Sequence, residues 1–449
     1  MRHSSVFAVA AVAAVLLLPS GRVPQADAAT GLRDLAAAKG VYFGTAATVG
    51  EWNDATYKAL GAREANMLTP GNEMKWDTTE PNPGQFNFGP ADSLVASAAA
   101  ANQRVRGHTL VWHSQAPSWV QNLGASDLRQ AMLNHINTEV THYKGKLYSW
   151  DVVNEAFNDD GTRRQSFWEQ KLGDGYIADA FRATHAVDPG AKLYYNDYNT
   201  DGIGAKSDAV YAMVKSFKQQ GVPIDGVGLQ AHLILGQVPS SMQQNIQRFV
   251  DLGVEVAITE LDVRMNTPAT PDKLATQATD YATVANACLT VTGCVGITTW
   301  GLSDKYSWIP STFPGQGAAL PFDENFQSKP AYDSLVKAYG GTVTPPPPGQ
   351  GTCAATYQIV NQWPGGFQGE AQITAGSSAI NGWTVTWTFA DGQRITSSWN
   401  ASVTADGAAV TAKNAGYNGT VAAGASTTFG FLATWNGANS APSPACAAT

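Results

Sequence analysis

Two glutamates stand where buried strands should end: Glu155 in "DVVNEAF" and Glu260 in "VAITELD". Val152 and Val153 read as the close of a fully buried strand, and a glutamate is almost never fully buried without a partner. Either the carboxylate has simply reached water, or the strand delivers it to a site. Opposed carboxylates with no metal ligands around them point to cleavage of a glycosidic bond. One carboxyl must hold a proton for the leaving oxygen, and the other must be ionised to attack or stabilise the anomeric carbon. Bringing the two close together raises the pKa of one, which keeps a proton available near neutral pH. Either glutamate alone could be half of a salt bridge with Lys75 or Arg264. Both together, with the residues around them, read as a site.

The elements that must position this pair recur along the first two thirds of the chain. Short β-rich stretches begin at 41 ("VYFGTA"), 66 ("NMLTP"), 104 ("RVRGHTLVW"), 148 ("YSWDVVNEA"), 193 ("LYYNDY"), 226 ("GVGLQAHL"), 256 ("VAITELD") and 296 ("GITTWGL"). Between them lie segments such as "ASDLRQAMLNHINTEVTHY", with apolar residues at three- and four-residue spacing. Eight β/α units in about 300 residues predict an α/β fold, a closed parallel (β/α)8 barrel. An open doubly wound sheet is the alternative, and the lack of a G-x-G-x-x-G turn after the first strand weighs against it. The strand ends, or the loops just after them, carry Asn72, Lys75, His108, Trp112, Asn154, Glu155, Asn196, Asp197, Tyr198, Gln230, His232, Glu260, Asp262 and Trp300. In a barrel these converge on one face. His135, His142 and His185 fall in helical stretches and read as surface, whereas Trp76 and Trp119 read as core.

Composition narrows the partners. Charged residues are only 14% of the chain, well below the usual quarter. The net charge is −8 and Lys/Arg do not cluster, which argues against nucleic acid and anionic membranes. A weakly charged surface rich in Trp and Asn suits a neutral polar ligand. Arg2, the apolar run Val6 to Leu18 and Ala26-Asp27-Ala28 read as a secretion signal over residues 1–28, so an exported, soluble protein is expected. Four cysteines fit an oxidising compartment, with one bridge inside each domain on the nearest-neighbour reading: Cys288 with Cys294, and Cys353 with Cys446. Their scatter, and the absence of histidines at ligand spacing, predict no metal site, and no cofactor is expected. "GGTVTPPPPGQGT", residues 340–352, reads as a semi-rigid linker between a barrel over 30–339 and a module over 353–449.

"WDVVNEAF" and "ITELDVR" resemble the acid/base and nucleophile signatures of glycoside hydrolase family 10, the retaining endo-β-1,4-xylanases. "GNEMKWD", "RGHTLVWHSQAPSW", "YNDYN", "GLQAH" and "TTWGLSDKYSW" are similar to that family in its order, over about residues 30–340. The resemblance implies a TIM barrel, with Glu155 as general acid/base and Glu260 as nucleophile about 5–5.5 Å apart. It implies Asn154 on the 2-hydroxyl of the reacting sugar, His232 orienting Glu260, and Gln230 bridging near the pair. Asn72, Lys75 and His108 would bind hydroxyls on the glycone side, with Gln115 among the substrate-binding residues. Trp112, Trp300 and Trp308 would wall the reacting sugar, whose apolar C–H face suits tryptophan, and Tyr198 would lie near Glu155. Two positions depart from the family. Gly71 stands where it usually has glutamate, which puts the strength of the second glycone subsite in question. Tyr194 stands where relatives often carry a cysteine, and no partner cysteine accompanies it.

From 353 onward the pattern alternates. "GWTVTWTF" puts Trp383, Val385, Trp387 and Phe389 on one face, the mark of half-buried antiparallel strands in a small β-sandwich. It has no histidine and little acid, so a binding role is the default. "NQWPGGF", "GQRITSSWN", "YNGTV" and the terminal cysteines resemble a family 2 carbohydrate-binding module. That resemblance implies a flat aromatic strip of Trp363, Trp399 and Tyr417 for cellulose, with Trp383, Trp387 and Trp435 in the core. It also implies a cellulose rather than a xylan ligand, because Gly366 stands where xylan binders of the family carry an arginine. The expected partners are therefore xylan at the barrel and cellulose at the module, and a monomer is expected. A preference for β-1,4-glucan, or a sugar-binding barrel without catalysis, are the competing readings; lectin-like barrels usually lose a catalytic carboxylate, and both are present here.

Overall fold

The computed structural model describes residues 31–343, 352–376 and 379–448. The secretion-signal reading at 1–28 lies outside the described residues, as do residues 344–351 of the linker reading. Residues 42–299 carry eight parallel strands: Tyr42–Ala47, Met67–Pro70, Arg104–Trp112, Ser149–Asn154, Lys192–Asp197, Gly226–Leu229, Glu255–Asn266 and Cys294–Thr299. Each pairs with the next, and the first pairs with the last through Tyr42↔Gly296, which closes the barrel. Both faces are covered, so the strands read as buried runs rather than alternating ones. The fourth strand is buried at all six positions, polar Asp151 and Asn154 included.

Side chains from several strands fill the barrel interior. Tyr42, Met67, Tyr194 and Ala257 form one buried cluster, and the Arg106 guanidinium lies 4.4 Å from the centre of the Tyr194 ring. Glycines make room for them. A Cβ on Gly296 would lie 2.4 Å from the Tyr42 ring, and one on Gly228 would lie 2.2 Å from Asn196 Oδ1. Residues that look conformationally idle in the sequence are therefore set by volume.

Three details differ from the sequence expectation. The stretch at 226 is two strands: Gly226–Leu229 ends, Ala231 turns through φ +59°, and His232–Ile234 pairs separately with the extended seventh strand. Glu260 does not end its strand. Glu255–Asn266 runs on beyond the barrel, and Glu260 sits at the mouth, one residue before the last pairing with the eighth strand, Leu261↔Thr299. Third, His135 is buried, not on the surface. Its ring stacks on Trp76 at 3.8 Å, between Glu80 Oε2 and Glu139 Oε2, each 3.0 Å away. It shares a helical face with Leu128, Met132, Glu139 and Tyr143, and that spacing turns it inward. His142 is half-buried against Phe88, His185 is exposed, Trp76 is buried and Trp119 packs beside it.

The second unit is a sandwich of two four-stranded antiparallel sheets. One has the order Cys353–Trp363, Gly366–Ala375, Ser426–Thr434, Arg394–Trp399; the other Ala401–Asp406, Ala409–Asn414, Trp383–Thr388, Ala445–Ala448. Trp383, Trp387, Phe429 and Phe431 fill the space between them, and Trp435 packs half-buried at its edge. Both cysteine pairs are bonded as expected, Cys288–Cys294 and Cys353–Cys446.

These bridges close loops of very different length, with sequence separations of 6 and 93. On the chain-entropy treatment the long loop is worth about 4.7 kcal/mol and the short one about 2.4 kcal/mol. Calorimetry of the full chain should therefore show Cys353→Ser/Cys446→Ser lowering the melting of the sandwich by more than Cys288→Ser/Cys294→Ser lowers that of the barrel. Equal shifts would contradict this ranking.

Candidate active site

The barrel mouth opens into a cleft of about 890 Å³. It is lined by every barrel residue named above as catalytic or substrate-binding: Glu155, Glu260, Asn72, Lys75, His108, Trp112, Gln115, Asn154, Tyr198, Gln230, His232, Trp300 and Trp308. Glu155 lies one residue past the fourth strand, in the left-handed backbone region at φ +59°. A non-glycine residue there costs on the order of 1–3 kcal/mol, so the surroundings must enforce it. Its backbone N–H donates to Asn196 O (2.9 Å), and Arg164 Nε donates to its carbonyl (2.8 Å).

The two carboxylates are joined by a short run of amides. Gln230 Nε2 donates to Glu155 Oε1 and to Asn154 Oδ1, both at 3.2 Å. Asn196 Nδ2 donates to Asn154 Oδ1 (2.9 Å) and to Glu260 Oε1 (2.8 Å). Thr259 fixes Asn196 in turn, its hydroxyl donating to Asn196 Oδ1 at 2.7 Å. Asn154, Asn196 and Gln230 come from three adjacent strands, and each amide has one orientation that satisfies both of its links.

The environments of the two glutamates differ. Glu260 Oε2 faces His232 Nε2 at 3.0 Å, and His232 Nδ1 faces Asp262 Oδ2 at 2.9 Å. Burial opposes the charged imidazole, but Asp262 and Glu260 outweigh it and push His232 up to about 10. Burial likewise favours neutral Glu260, yet the bond from His232, the nearby His108 and the Asn196 amide hold its carboxyl below the usual range. Glu260 is therefore kept ionised. The side-chain donors to the Glu155 carboxylate are neutral: Trp112 Nε1 at 2.9 Å, Asn154 Nδ2 at 3.3 Å and Gln230. One carboxylate bonded to an imidazolium faces another bonded only to neutral N–H groups. That division suits one nucleophile and one proton carrier.

The remaining side chains are fixed from behind. Lys75 Nζ donates to Asn72 Oδ1 (3.0 Å) and Gln115 Oε1 (2.7 Å) and lies 5.0 Å over Trp112. His108 Nδ1 is 3.0 Å from Asp151 Oδ2, and Asp151 also pairs with buried Arg106, which leaves His108 Nε2 for the cleft. Trp308 Nε1 donates to Asp262 (2.8 Å), and Trp300 sets its ring edge-on to His108. Arg164 Nη2 donates to the Tyr198 hydroxyl at 2.8 Å, so one guanidinium ties Tyr198 to the Glu155 backbone. The sequence reading of binding residues did not include Asn196, Asp262, Arg164 or Asp151. The first two were visible as polar strand ends, but Arg164 sits in a loop with no pattern to mark it.

In the sandwich, Trp363, Trp399 and Tyr417 are 42%, 40% and 76% exposed, the most exposed aromatics of that unit. Each tryptophan ring lies against the glycine paired across from it. A Cβ on Gly366 would be 2.5 Å from Trp363 Nε1, and one on Gly430 would be 2.2 Å from Trp399 Cζ2. Trp363 is level with Gly366, and Trp399, through Gly430, with Glu370. Positions 366 and 370 share the outward face, because Phe367, Ala371 and Ile373 point into the core.

The sequence matches glycosyl hydrolase family 10 over residues 31–338 and a cellulose binding domain over residues 353–448. An endo-1,4-beta-xylanase of Agaricus bisporus is 54% identical over 302 residues, 66% of this chain and 91% of that protein. Endo-1,4-beta-xylanase A of Phanerodontia chrysosporium is 49% identical over 314 residues, 69% of this chain and 77% of that one. The crystal structure of native xylanase 10B from Thermotoga maritima superposes with a TM-score of 0.68 at 42% identity, covering 69% of this chain and 98% of that one. A match across the whole barrel accords with the paired carboxylates at its mouth: the chain belongs to glycosyl hydrolase family 10, and its second unit is a cellulose binding domain.

Proposed function

We propose that this protein is an exported endo-β-1,4-xylanase that cleaves internal xylan linkages with retention of configuration. The observation that carries the reading is the amide-linked pair, with Glu260 bonded to an imidazolium and Glu155 to neutral donors. In the first displacement, Glu260 attacks the anomeric carbon while Glu155 gives its proton to the departing glycosidic oxygen, forming a glycosyl ester on Glu260. In the second, Glu155 takes a proton from water, whose oxygen attacks the same carbon and releases Glu260. Two inversions leave the β-anomer. In this reading Asn154 holds the 2-hydroxyl, and the indoles of Trp112, Trp300 and Trp308 exclude water and contact the sugar faces.

The same reading divides the chain into a secretion signal (1–28), a catalytic barrel (30–339), a linker (340–352) and a cellulose-directed module (353–449), acting as a monomer. The relatives named endo-1,4-beta-xylanases support the substrate. The exposed setting of Trp363 and Trp399 against glycines of one outward face supports a planar ligand such as the face of crystalline cellulose, with Tyr417 as the third ring.

Glu155→Gln should lower turnover of xylan by about 10²–10⁴-fold while leaving substrate binding largely intact, since the contacts stay and the proton is lost. Initial rates and equilibrium binding on polymeric xylan, with carboxymethylcellulose as the competing substrate, check this; near wild-type rates would mean that another group delivers the proton. Proton NMR of early products should show the β-anomer first. His232→Asn should move the acid limb of kcat/KM to higher pH. The imidazolium stabilises ionised Glu260, so removing it raises that carboxyl's pKa and populates the inactive protonated form at higher pH. An unchanged acid limb would contradict this coupling. On microcrystalline cellulose, the full chain should be retained and Trp363→Ala/Trp399→Ala largely lost to the supernatant; equal retention would place binding on another face.

A further inference from the structure

The end of the first strand and the residue after it line the cleft with small residues, Ala46, Ala47 and Thr48, facing Gly71 from the loop after the second. The one long side chain this stretch contributes to the cleft is Glu51, in the short helix Val49–Trp52. Glu51 closes a capping box: its Oε2 accepts from the Thr48 backbone N–H at 2.7 Å, and Thr48 Oγ1 accepts from the Glu51 N–H at 3.3 Å. Capping uses only one carboxylate oxygen. Oε1 has no hydrogen-bond partner among the described residues, and it is not among the buried unpartnered atoms.

The helix is bound to the strip that carries Asn72. Glu73 Oε1 accepts from the Val49 N–H (2.7 Å) and Glu73 Oε2 from the Asn72 N–H (3.1 Å), while the Gly71 N–H donates to Ala47 O (2.9 Å). Glu51 and Asn72 are thus parts of one rigid wall. A Cβ at Gly71 would stand 3.3 Å from Thr48 Cγ2, so the glycine keeps the space beside Asn72 clear. Burial pushes the Glu51 carboxyl up, the bonds from Thr48 pull it down, and Glu73 adds like-charge repulsion; no cation is among the groups that shift it. A cap alone does not require that arrangement, because glutamine closes the same box without placing a second negative charge beside Glu73.

We propose that Glu51 is a specificity-determining residue of the cleft, whose Oε1 accepts hydrogen bonds from the vicinal hydroxyls of the sugar unit next to the reacting one on the glycone side. A carboxylate with a free oxygen is an acceptor only, and a charged acceptor makes the stronger bond to a hydroxyl. The inference rests on the xylanase reading and on its placement of Asn72 and Lys75 on the glycone side.

Two aryl substrates with the same leaving group test it on the full chain. An aryl β-xyloside occupies only the reacting position, whereas an aryl β-xylobioside also fills the next one. Glu51→Gln, which preserves the cap, should lower kcat/KM on the xylobioside by roughly ten- to a hundred-fold, mainly through KM, and on the xyloside by less than about two-fold, with Tm unchanged. No loss on either substrate overturns the inference. An equal loss on both, with or without a fall in Tm, also overturns it and leaves Glu51 as a cap alone. Wild-type turnover of both substrates without the selective loss refutes Glu51 but spares the xylanase reading. A wild type that turns over neither xylan nor the aryl substrates refutes both.

Discussion

Two carboxylates linked through a run of amides share one cleft, and the barrel mouth is organised around giving them different partners. The solution is asymmetric. His232 stands between Glu260 and Asp262, and its imidazolium is shared by both. Glu260 therefore keeps its negative charge through an imidazolium, and among the described residues no lysine or arginine forms an ion pair with it. Trp308 supports the same Asp262 oxygen from the other side, so an aromatic wall of the cleft and the electrostatics of the pair share one anchor.

The amide run sets distance where the imidazolium sets charge. Asn154, Asn196 and Gln230 belong to the fourth and fifth strands and the end of the sixth, which are adjacent in the closed sheet. Their geometry is inherited from strand register, with Asn154 level with Asn196. Gly228 is part of the same device, since a side chain there would strike the Asn196 amide. Below this layer, Asp151 joins buried Arg106 to His108. Burial favours the neutral acid, yet the Arg106 charge and the His108 bond hold Asp151 below the usual carboxylate range. The floor of the cleft is thus a paired and hydrogen-bonded polar layer, the form in which buried charge is tolerated.

The sandwich carries its exposed aromatics in the opposite manner. Trp363 and Trp399 are not sunk in a cleft but lie against glycines of an outward sheet face. Tyr417 is tied by its hydroxyl to Asn400 Oδ1 at 2.6 Å, next to Trp399 in sequence.

The sequence by itself determined a great deal. Eight β-rich stretches alternating with helical segments over about 300 residues specified the barrel, and polar residues at or just after several strand ends marked its mouth. The Asn154-Glu155 pair and the "ITELD" stretch pointed to glycosidic cleavage before any coordinates. Alternation identified the sandwich, and paired cysteines its closure. What the tertiary structure alone decided was which side chains meet across strands. His135 shows the limit: helical spacing placed it on a face, but only packing against Trp76, Glu80 and Glu139 made that face interior. Glu51 shows it again. "TVGE" is legible as a helix cap, yet its place in the cleft depends on Gly71 and Glu73 from a separate loop. Local pattern follows from the period of each element, whereas burial, protonation and the pairing of distant amides follow from the closing of the barrel, which no single stretch of sequence contains.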